Sequence, residues 1–489
     1  MSTAAQPLPA ACFATGNLPN FFIVPCSIAT LQQPDLRLEA LLAVPRLIEI
    51  QQYYEEVLKD NHDAISISPD SGQGKGKGVI AKQDLCNGDN VLREPPLVAG
   101  QHTTNKCHAL ACSQCFQFLG SIEMQLAWCQ LMAAADGTPL YNLQALTALQ
   151  SQVPSLPYSK QWQLPQPVPC RSGCQDEVYC SQKCAATAWD AHHAILCCHG
   201  SQGREERLSA AASSSAEAGP SSGNHAEEMR AFQEHANSTN DVFLVAAQAV
   251  ANTVIRAREA LYLSGQDSKE ACWYALLKGW QPYHMGWKKP WWQSVACPDD
   301  VDNEQEFRQE LKDLASDSLN LLKAAIYDEC FPALFDLDVY GSIVGMFELN
   351  NLGIMSPSPI QEYSEAVADL PHADRAAAQA GVASVLSQLD LDTDELCVEG
   401  TAFYAVQSCI NHSCQPNAHA LRSGDDPNSF AAIVAIQDIF AGDEVTISYI
   451  DESLSYEERQ EALRDYGFVC CCPLCQQQQQ YPKLQAEQG

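Results

Sequence analysis

Basic residues are scarce in this chain. Its 489 residues include 28 Lys and Arg against 60 Asp and Glu, which gives a formal net charge of −32. Such a charge repels the phosphate backbone of nucleic acid and favours basic partners, so we expect no direct contact with nucleic acid. An acidic balance also keeps a protein soluble, so it bears on function only where a basic substrate is inferred independently.

Long apolar runs are missing as well. No stretch reaches the roughly 18 apolar residues that a membrane-spanning helix needs, so no membrane segment is expected. The first thirty residues contain neither Lys nor Arg, which argues against a signal peptide and against an Arg-rich transit peptide. We therefore expect a soluble intracellular protein, long enough for about two to four domains.

Cysteine, in contrast, is abundant. The chain has 23 Cys, an odd number, and many of them are clustered at gaps of two or three residues. In an intracellular chain this spacing favours zinc ligands over disulfides. One cluster supplies seven thiols and one imidazole, enough for two tetrahedral zinc sites. Its members are Cys112, Cys115, Cys170, Cys174, Cys180, Cys184, His193 and Cys197.

The histidine ligand of this cluster has an alternative. Both His192 and His193 could bind zinc, and we prefer His193 because three residues separate it from Cys197. Cys107, Cys198 and His199 are then left over. The cluster is also interrupted, because 54 residues separate Cys115 from Cys170.

Apolar periodicity predicts helices in three places. Residues 47–57, 243–261 and 307–325 repeat apolar side chains at gaps of three and four, as one face of an amphipathic helix does. The apolar run 343–352 is expected to be a strand or another buried segment. Residues 201–238 are rich in Ser, Ala, Glu and Gly, and we expect them to be disordered because they cannot bury enough apolar area.

A glycine-rich stretch precedes the first cysteine cluster. Residues 74–81 alternate Gly with Lys and then become an apolar strand. Asn87-Gly88 is a strong signal for a hairpin turn between Val79–Ala81 and Val91–Leu92. Glycines let a backbone approach a ligand closely, and the alternative is an exposed flexible turn.

The clearest candidate site is the stretch 411–417, which reads NHSCQPN. A turn and an alternating strand follow at 442–449 and end on Tyr449, which could also be an ordinary half-buried strand tyrosine. The last cluster is Cys470, Cys472 and Cys475. Together these three stretches resemble the C-terminal half of a SET domain with its post-SET zinc loop. The stretch 179–184, with Trp189 after it, resembles a MYND zinc finger.

The order of these motifs resembles that of SET and MYND domain protein-lysine methyltransferases. The phrases GMFELNN at 345–351 and QSCINHSC at 407–414 look closest to the plant-type trithorax-related histone-lysine N-methyltransferases, which carry a split MYND finger. The resemblance implies an α+β fold: a β-rich SET fold with a pseudoknot, an inserted MYND zinc finger, a helical insert and a post-SET zinc loop.

The resemblance also implies boundaries. They are an N-terminal extension with a helix at 1–63, the first part of the SET domain at 64–106, the split finger at 107–199, a disordered low-complexity linker at 200–239, a helical insert at 240–335, the SET catalytic core at 336–453, the post-SET segment at 454–475 and a Gln-rich tail at 476–489.

The resemblance implies three structural zinc ions. The finger's pairs interleave in this family, so one zinc would take Cys112, Cys115, Cys180 and Cys184, and the other Cys170, Cys174, His193 and Cys197. The third would take Cys414, Cys470, Cys472 and Cys475, with Cys471 excluded by the C-x-C-x2-C pattern. Four protein ligands leave no open position, so none of these ions would be catalytic.

The resemblance assigns the remaining site residues. Tyr449 would be the catalytic tyrosine that orients the methyl group and the target amine, Tyr466 would face the lysine channel, and Tyr404 is a further channel candidate. S-adenosylmethionine would be held by Lys75, Gly76, Lys77, Gly78, Asn350, Asn411, His412, Tyr449 and Phe468.

The function implied is an S-adenosylmethionine-dependent protein-lysine N-methyltransferase that modifies histone lysine to regulate chromatin and transcription. One alternative is a non-catalytic adaptor whose finger binds Pro-rich protein partners, and another is a methyltransferase for a non-histone protein. The resemblance implies the nucleus as location, with the cytoplasm as the alternative, and we expect a monomer.

Overall fold

The computed structural model describes residues 34–59, 63–72, 74–134, 140–199, 225–286, 288–389, 396–421 and 427–486. Most of the predicted N-terminal extension, residues 1–33, lies outside these ranges. Residues 200–224 of the predicted linker lie outside them as well. Within the described ranges, no helix is both long enough and apolar enough to cross a membrane.

The described residues form both helices and strands. The helices are α1 Pro34–Leu42, α2 Leu47–Leu58, α3 Thr103–Lys106, α4 Ile122–Ala133, α5 Leu143–Gln150, α6 Gln182–Ala188, α7 Ala194–Leu196, α8 His225–Thr239, α9 Val242–Ser264, α10 Lys269–His284, α11 Trp291–Ser294, α12 Glu304–Ile326, α13 Leu337–Asn350, α14 Pro359–Ala366, α15 His372–Leu389, α16 Tyr456–Arg464 and α17 Pro473–Ala486. The strands are β1 Ile65–Ser68, β2 Gly78–Ala81, β3 Asn90–Glu94, β4 Val98–Gln101, β5 Val168–Pro169, β6 Val178–Tyr179, β7 Leu352–Ser356, β8 Val398–Phe403, β9 Asn411–His412, β10 Ala418–Leu421, β11 Ala431–Ala435 and β12 Glu444–Ile447.

The strands form small sheets that bring distant parts of the sequence together. One sheet has the order β1-β2-β12-β9, and the others are β10-β11-β3, β4-β8-β7 and β5-β6. The pair β12 and β9 is parallel, whereas the other pairs of named strands are antiparallel. The first sheet therefore places the glycine-rich strand β2, the NHSC strand β9 and the strand before Tyr449 side by side.

The apolar periodicities at 47–57, 243–261 and 307–325 correctly predicted helices α2, α9 and α12. Helix α12 begins where Asn303 accepts the backbone N–H groups of Gln305 and Glu306. The long helices pack into one core with residues of the segment 107–199. A second core lies under the four-stranded sheet and includes Tyr53, Tyr54 and Val406.

Three local predictions need correction. The turn at Asn87-Gly88 forms, with Gly88 at φ +92°, but β2 and β3 belong to different sheets, so it is not a hairpin. Most of the apolar run 343–352 is helix α13, because a fully buried helix shows no strand or helix period. Residues 225–239 of the predicted disordered linker form helix α8, which buries Met229, Phe232 and Ala236.

Candidate active site and metal centres

Three sets of four side chains have ligand atoms within 4.8 Å of one another. The sets are Cys112, Cys115, Cys180 and Cys184; Cys170, Cys174, His193 and Cys197; and Cys414, Cys470, Cys472 and Cys475. These are the three groupings that the resemblance predicted. The eleven cysteines are free thiols, so disulfides do not explain their proximity.

The distances within the sets fit tetrahedral zinc. A zinc ion with Zn–S bonds of about 2.3 Å has sulfur atoms about 3.8 Å apart along each edge. The Sγ atoms of Cys180 and Cys184 are 3.4 Å apart, and Cys414 Sγ lies 3.5 Å from Cys475 and 3.9 Å from Cys470. The chemistry of these donors and their spacing therefore suit zinc.

The structure selects His193 rather than His192 for the second set. His193 Nε2 lies 3.4 Å from the Sγ atoms of both Cys170 and Cys174. A single π-helical turn, Trp189–His193, precedes helix α7 and widens the helix at this point. The imidazole that completes the set is thus the one preferred from its spacing to Cys197.

The third set joins two distant parts of the chain. Cys414 follows strand β9, whereas its three partners flank the start of helix α17. Arg459 of α16 is buried, and its guanidinium donates to the Leu454 carbonyl oxygen and to Gln478 Oε1. Burial raises the pKa of the Cys414 thiol, and the positive charge of Arg459 lies close enough to oppose that effect. Cys471 is exposed and points its S–H at the Val469 carbonyl, outside the set.

Four rings gather beside this third set. The ring of Tyr449 lies 5.1 Å from Tyr466, 6.4 Å from Phe468 and 5.4 Å from His412, measured between centroids. Tyr466 and Phe468 are each 36% exposed, so the cluster opens to solvent on their side. The Tyr449 hydroxyl donates to the Ile410 carbonyl oxygen at 2.6 Å, and burial raises the pKa of this hydroxyl above its usual range.

His412 connects the ring cluster with the third cysteine set. Its Nδ1 accepts the Tyr449 backbone N–H at 3.1 Å, and its Nε2 lies 3.3 Å from Cys414 Sγ. Burial lowers the pKa of His412 to about 4, so the ring is neutral. A neutral ring that accepts at Nδ1 carries its proton on Nε2, which then points at the sulfur.

Asn411 ties the NHSC strand to the glycine-rich strand. Its side-chain amide donates to the Lys77 carbonyl oxygen at 2.8 Å, to Glu444 Oε1 at 2.7 Å and to Ser71 Oγ at 3.0 Å. The other carboxylate oxygen of Glu444 accepts from Lys75 Nζ at 2.8 Å. One amide thus joins the segment 71–77 to strands β9 and β12, which lie more than 330 residues away in the sequence.

Gly78 has to be glycine for this crosslink to form. A Cβ atom at this position would lie 2.7 Å from Ser71 Cβ and 2.9 Å from Glu444 Oε1, closer than real Cβ contacts allow. Gly76 has φ +77°, a conformation that L side chains rarely adopt. The glycines therefore allow the loop to close on Asn411.

The SET domain family model matches residues 76–450, which include strands β2, β9 and β12 and Tyr449. The chain belongs to the SET-domain family. It is 37% identical over 472 residues to histone-lysine N-methyltransferase ATXR2 of Arabidopsis thaliana, an alignment that covers 89% of this chain and 95% of the relative. It is 27% identical over 435 residues to the chicken (Gallus gallus) protein-lysine N-trimethyltransferase SMYD5, covering 85% and 86% of the two chains. The human SMYD5 is 26% identical over 427 residues.

These matches make the chain a SET-type protein-lysine N-methyltransferase. SET methyltransferases use S-adenosylmethionine as the methyl donor, so the prediction of this chemistry is confirmed at the level of the family.

Two predicted site residues lie apart from this SET-domain assembly. Tyr404 is fully buried in another cluster, with Phe116 and Ile354, and its hydroxyl donates to the Ser429 carbonyl oxygen at 2.6 Å. Asn350 is the last residue of helix α13, and its amide donates back to the Met346 carbonyl oxygen. The described contacts do not link either side chain to Tyr449 or to Asn411.

Sequence reasoning missed several residues that support the site. They are Ser71, Glu444 and Asn417, which bind Asn411 or strand β12, Gln460, which binds Cys470 and Cys475, and Arg459, whose charge lies beside that cysteine set. Asn417 and Glu444 lie inside the quoted motifs, where their polar side chains could have been singled out as candidate site residues. The other three residues carry no local signal in the sequence.

Proposed function

We propose that this SET enzyme methylates lysine on histones, with Tyr449 as the catalytic tyrosine. The observation that carries the proposal is the placement of the Tyr449 hydroxyl within a ring cluster that adjoins both the NHSC strand and an opening to solvent. The relative named a histone-lysine N-methyltransferase, 37% identical over most of both chains, supports histone as the substrate class.

The residues present suit S-adenosylmethionine. An adenosyl group with a positively charged sulfur calls for aromatic faces, amide donors and a closely approaching backbone. The chain offers Phe468 and Tyr449 as rings, Asn411 and His412 on β9, and the backbone of 75–78. Among the residues that the structure describes, none gives a hydrogen bond to the buried side-chain oxygen of Gln407, just before β9. Asn350 remains part of the proposed cofactor site by resemblance alone.

When bound, S-adenosylmethionine supplies a methyl group on a good leaving group, so the chain's own residues mainly have to align a neutral amine. A lysine amine has a pKa of about 10.4 in water, and entry into a narrow aromatic channel lowers it. The Tyr449 hydroxyl donates its hydrogen bond to the Ile410 carbonyl oxygen, which leaves the lone pairs of the hydroxyl oxygen free to accept from the amine. Tyr466 lines the channel and excludes water. Tyr404 remains a channel candidate by resemblance alone.

The three cysteine sets are proposed to hold structural zinc. The first two would stabilise a MYND finger, and the third a post-SET loop that fixes the lid residues Tyr466 and Phe468 near β9. The proposal further includes a nuclear location, a monomer and a finger that can bind Pro-rich partners.

The test is transfer of labelled methyl from S-adenosylmethionine to core histones and to whole-cell protein extract, with Tyr449→Phe as the comparison. Label on a histone that is lost with the variant supports the proposal. Label on other proteins alone would contradict the histone substrate but keep the lysine chemistry. If the protein binds S-adenosylmethionine and three zinc ions but labels no protein, the result would favour the non-catalytic adaptor.

A further inference from the structure

Glu94 is a buried carboxyl that the reaction outlined above does not use. It is the last residue of β3, and its side chain is 7% exposed. Strand β3 belongs to the sheet β10-β11-β3, whereas the cofactor strand β9 belongs to another sheet. Burying a carboxyl is costly unless it is well hydrogen-bonded, so its partners indicate what it is for.

Its partners are backbone N–H groups of the turn that leads into the NHSC strand. The Val406 N–H lies 2.9 Å from Oε1 and 3.1 Å from Oε2, and the Gln407 N–H lies 2.9 Å from Oε2. This turn closes with hydrogen bonds from Cys409 N to Val406 O and from Ile410 N to Gln407 O. Asn411 and His412 follow at once, so Glu94 fixes the segment that presents both of them.

A carboxylate is suited to this position because it only accepts. It offers two oxygens with about four lone pairs, enough to hold several N–H groups at once. A protonated carboxyl carries a hydrogen that would face those same donors. An amide in its place would present an NH₂ group to them.

We propose that ionised Glu94 is a positioning residue for S-adenosylmethionine binding, and that its protonation loosens the 405–412 turn and weakens that binding. The inference rests on the proposed cofactor site at Asn411 and His412. It assigns Glu94 no contact with substrate or cofactor.

The electrostatic surroundings of Glu94 support titration in an accessible range. Burial raises the pKa of Glu94 to about 7, against the opposing effect of the backbone N–H groups of Gln407, Val406 and Ala405. The titratable groups that the structure links to it electrostatically are Tyr53, Tyr54, Tyr404 and Cys409. Burial raises the pKa of each of these four groups, so they stay neutral while Glu94 titrates.

The proposed effect of Glu94 protonation on cofactor binding differs in direction from unfolding of the chain by acid. A carboxyl whose folded pKa lies above its ordinary value of 4.5 stabilises the fold at low pH, and this contribution is lost as pH rises towards 7. Protonation of Glu94 therefore does not unfold the chain. Weaker cofactor binding at pH 6 would be a local effect.

The experiment is calorimetric titration of the zinc-loaded full chain with S-adenosylmethionine at pH 6 and pH 8. If binding requires the ionised form, the wild type should bind about tenfold more weakly at pH 6 and release about one proton there, measured in buffers of different ionisation enthalpy. Glu94→Gln should bind weakly at both values without this proton release. Glu94→Asp, which keeps an ionisable group, should keep the pH dependence.

A matched control is Glu123→Gln. Glu123 also accepts a backbone N–H, that of Leu156, and the Ser159 hydroxyl, but it lies in the segment between Cys115 and Cys170. This variant should keep the wild-type affinity and pH profile. The inference would be overturned if the wild type released no proton on binding at pH 6. It would also be overturned if Glu94→Gln kept the wild-type pH profile, even if this variant were less stable. A wild type that binds no S-adenosylmethionine at either pH would instead overturn the proposed function.

Discussion

Single side chains join distant segments in this enzyme, and the amide of Asn411 is the clearest case. Asn411→Asp would replace two N–H donors with a negative oxygen facing Glu444 and the Lys77 carbonyl. We expect S-adenosylmethionine to bind about 10-fold to 100-fold more weakly, in line with the cost of leaving buried polar groups unpaired. Titration calorimetry measures the change.

Asn252→Asp provides the comparison for this substitution. Asn252 is also a part-buried amide, which donates to the Ala191 carbonyl and accepts from the Tyr283 hydroxyl. It lies in helix α9, outside the sheet that holds Asn411, so this variant should lose stability without losing cofactor affinity. Equal losses of affinity in both variants would contradict the role given to Asn411.

The residue scale also shows what sequence could predict. Cysteine spacing, together with the family resemblance, gave all three ligand groupings, because ligands at short gaps on one turn constrain each other locally. Ser71 and Glu94 could not be found in this way, since each acts on a segment more than 300 residues away. Their roles exist only after the sheets have formed.

At the scale of structural elements, the loop around Cys470 and helix α17 is predicted to depend on zinc. Cys472→Ser should lower the zinc content from three ions per chain to two, because three remaining ligands hold the metal poorly. Activity should then be abolished, since Tyr466 and Phe468 lose their support. Metal analysis and methyl transfer measure the two effects.

Cys471→Ser is the matched control, one residue away. Its thiol is exposed and outside the set, so zinc content and activity should stay at wild-type values. Full turnover by Cys472→Ser with two zinc ions would show that the third site does not organise the lid.

Helix α9 offers a second prediction at this scale. Arg258 of α9 forms a two-pronged ion pair with Asp328, at 2.8 and 2.6 Å, and the Asp328 side chain is only 3% exposed. Arg258→Ala should lower the free energy of unfolding by about 3 kcal/mol, because it leaves a buried charge without a partner. Denaturant unfolding measures this loss of stability.

Arg464→Ala is the comparison, because it breaks an exposed ion pair with Glu461. It should lower the free energy of unfolding by at most about 0.5 kcal/mol. Equal losses in the two variants would contradict the cost assigned to the unpaired charge of Asp328.

Helices were predicted correctly where apolar side chains repeat at gaps of three and four residues. They were predicted poorly where the whole helix is buried. Helices α9 and α12 each show one apolar face, so their period was readable. Helix α13 is buried on nearly all sides, and its sequence looked like a strand. The hairpin predicted at Asn87-Gly88 was wrong because β2 pairs with β12 and β3 pairs with β11, each more than 330 residues away in the sequence.

At the scale of the whole molecule, the net charge of −32 should attract a basic substrate towards the enzyme. Raising the salt from about 0.05 to 0.5 M shortens the range of this attraction, so KM for a Lys-rich peptide should rise while kcat changes little. A peptide that keeps the target lysine but has neutral flanking residues serves as the control and should show little salt dependence. The same salt response for both peptides would exclude long-range attraction.

The central claim concerns Tyr449, and single-turnover methyl transfer at saturating S-adenosylmethionine and peptide tests it most directly. Tyr449→Phe should keep cofactor affinity but slow the transfer about 100-fold, because the amine is no longer aligned. Tyr363→Phe removes a comparable hydroxyl-to-carbonyl bond, to Pro157, and should leave the rate unchanged. A Tyr449→Phe variant that transfers methyl at the wild-type rate would contradict the account.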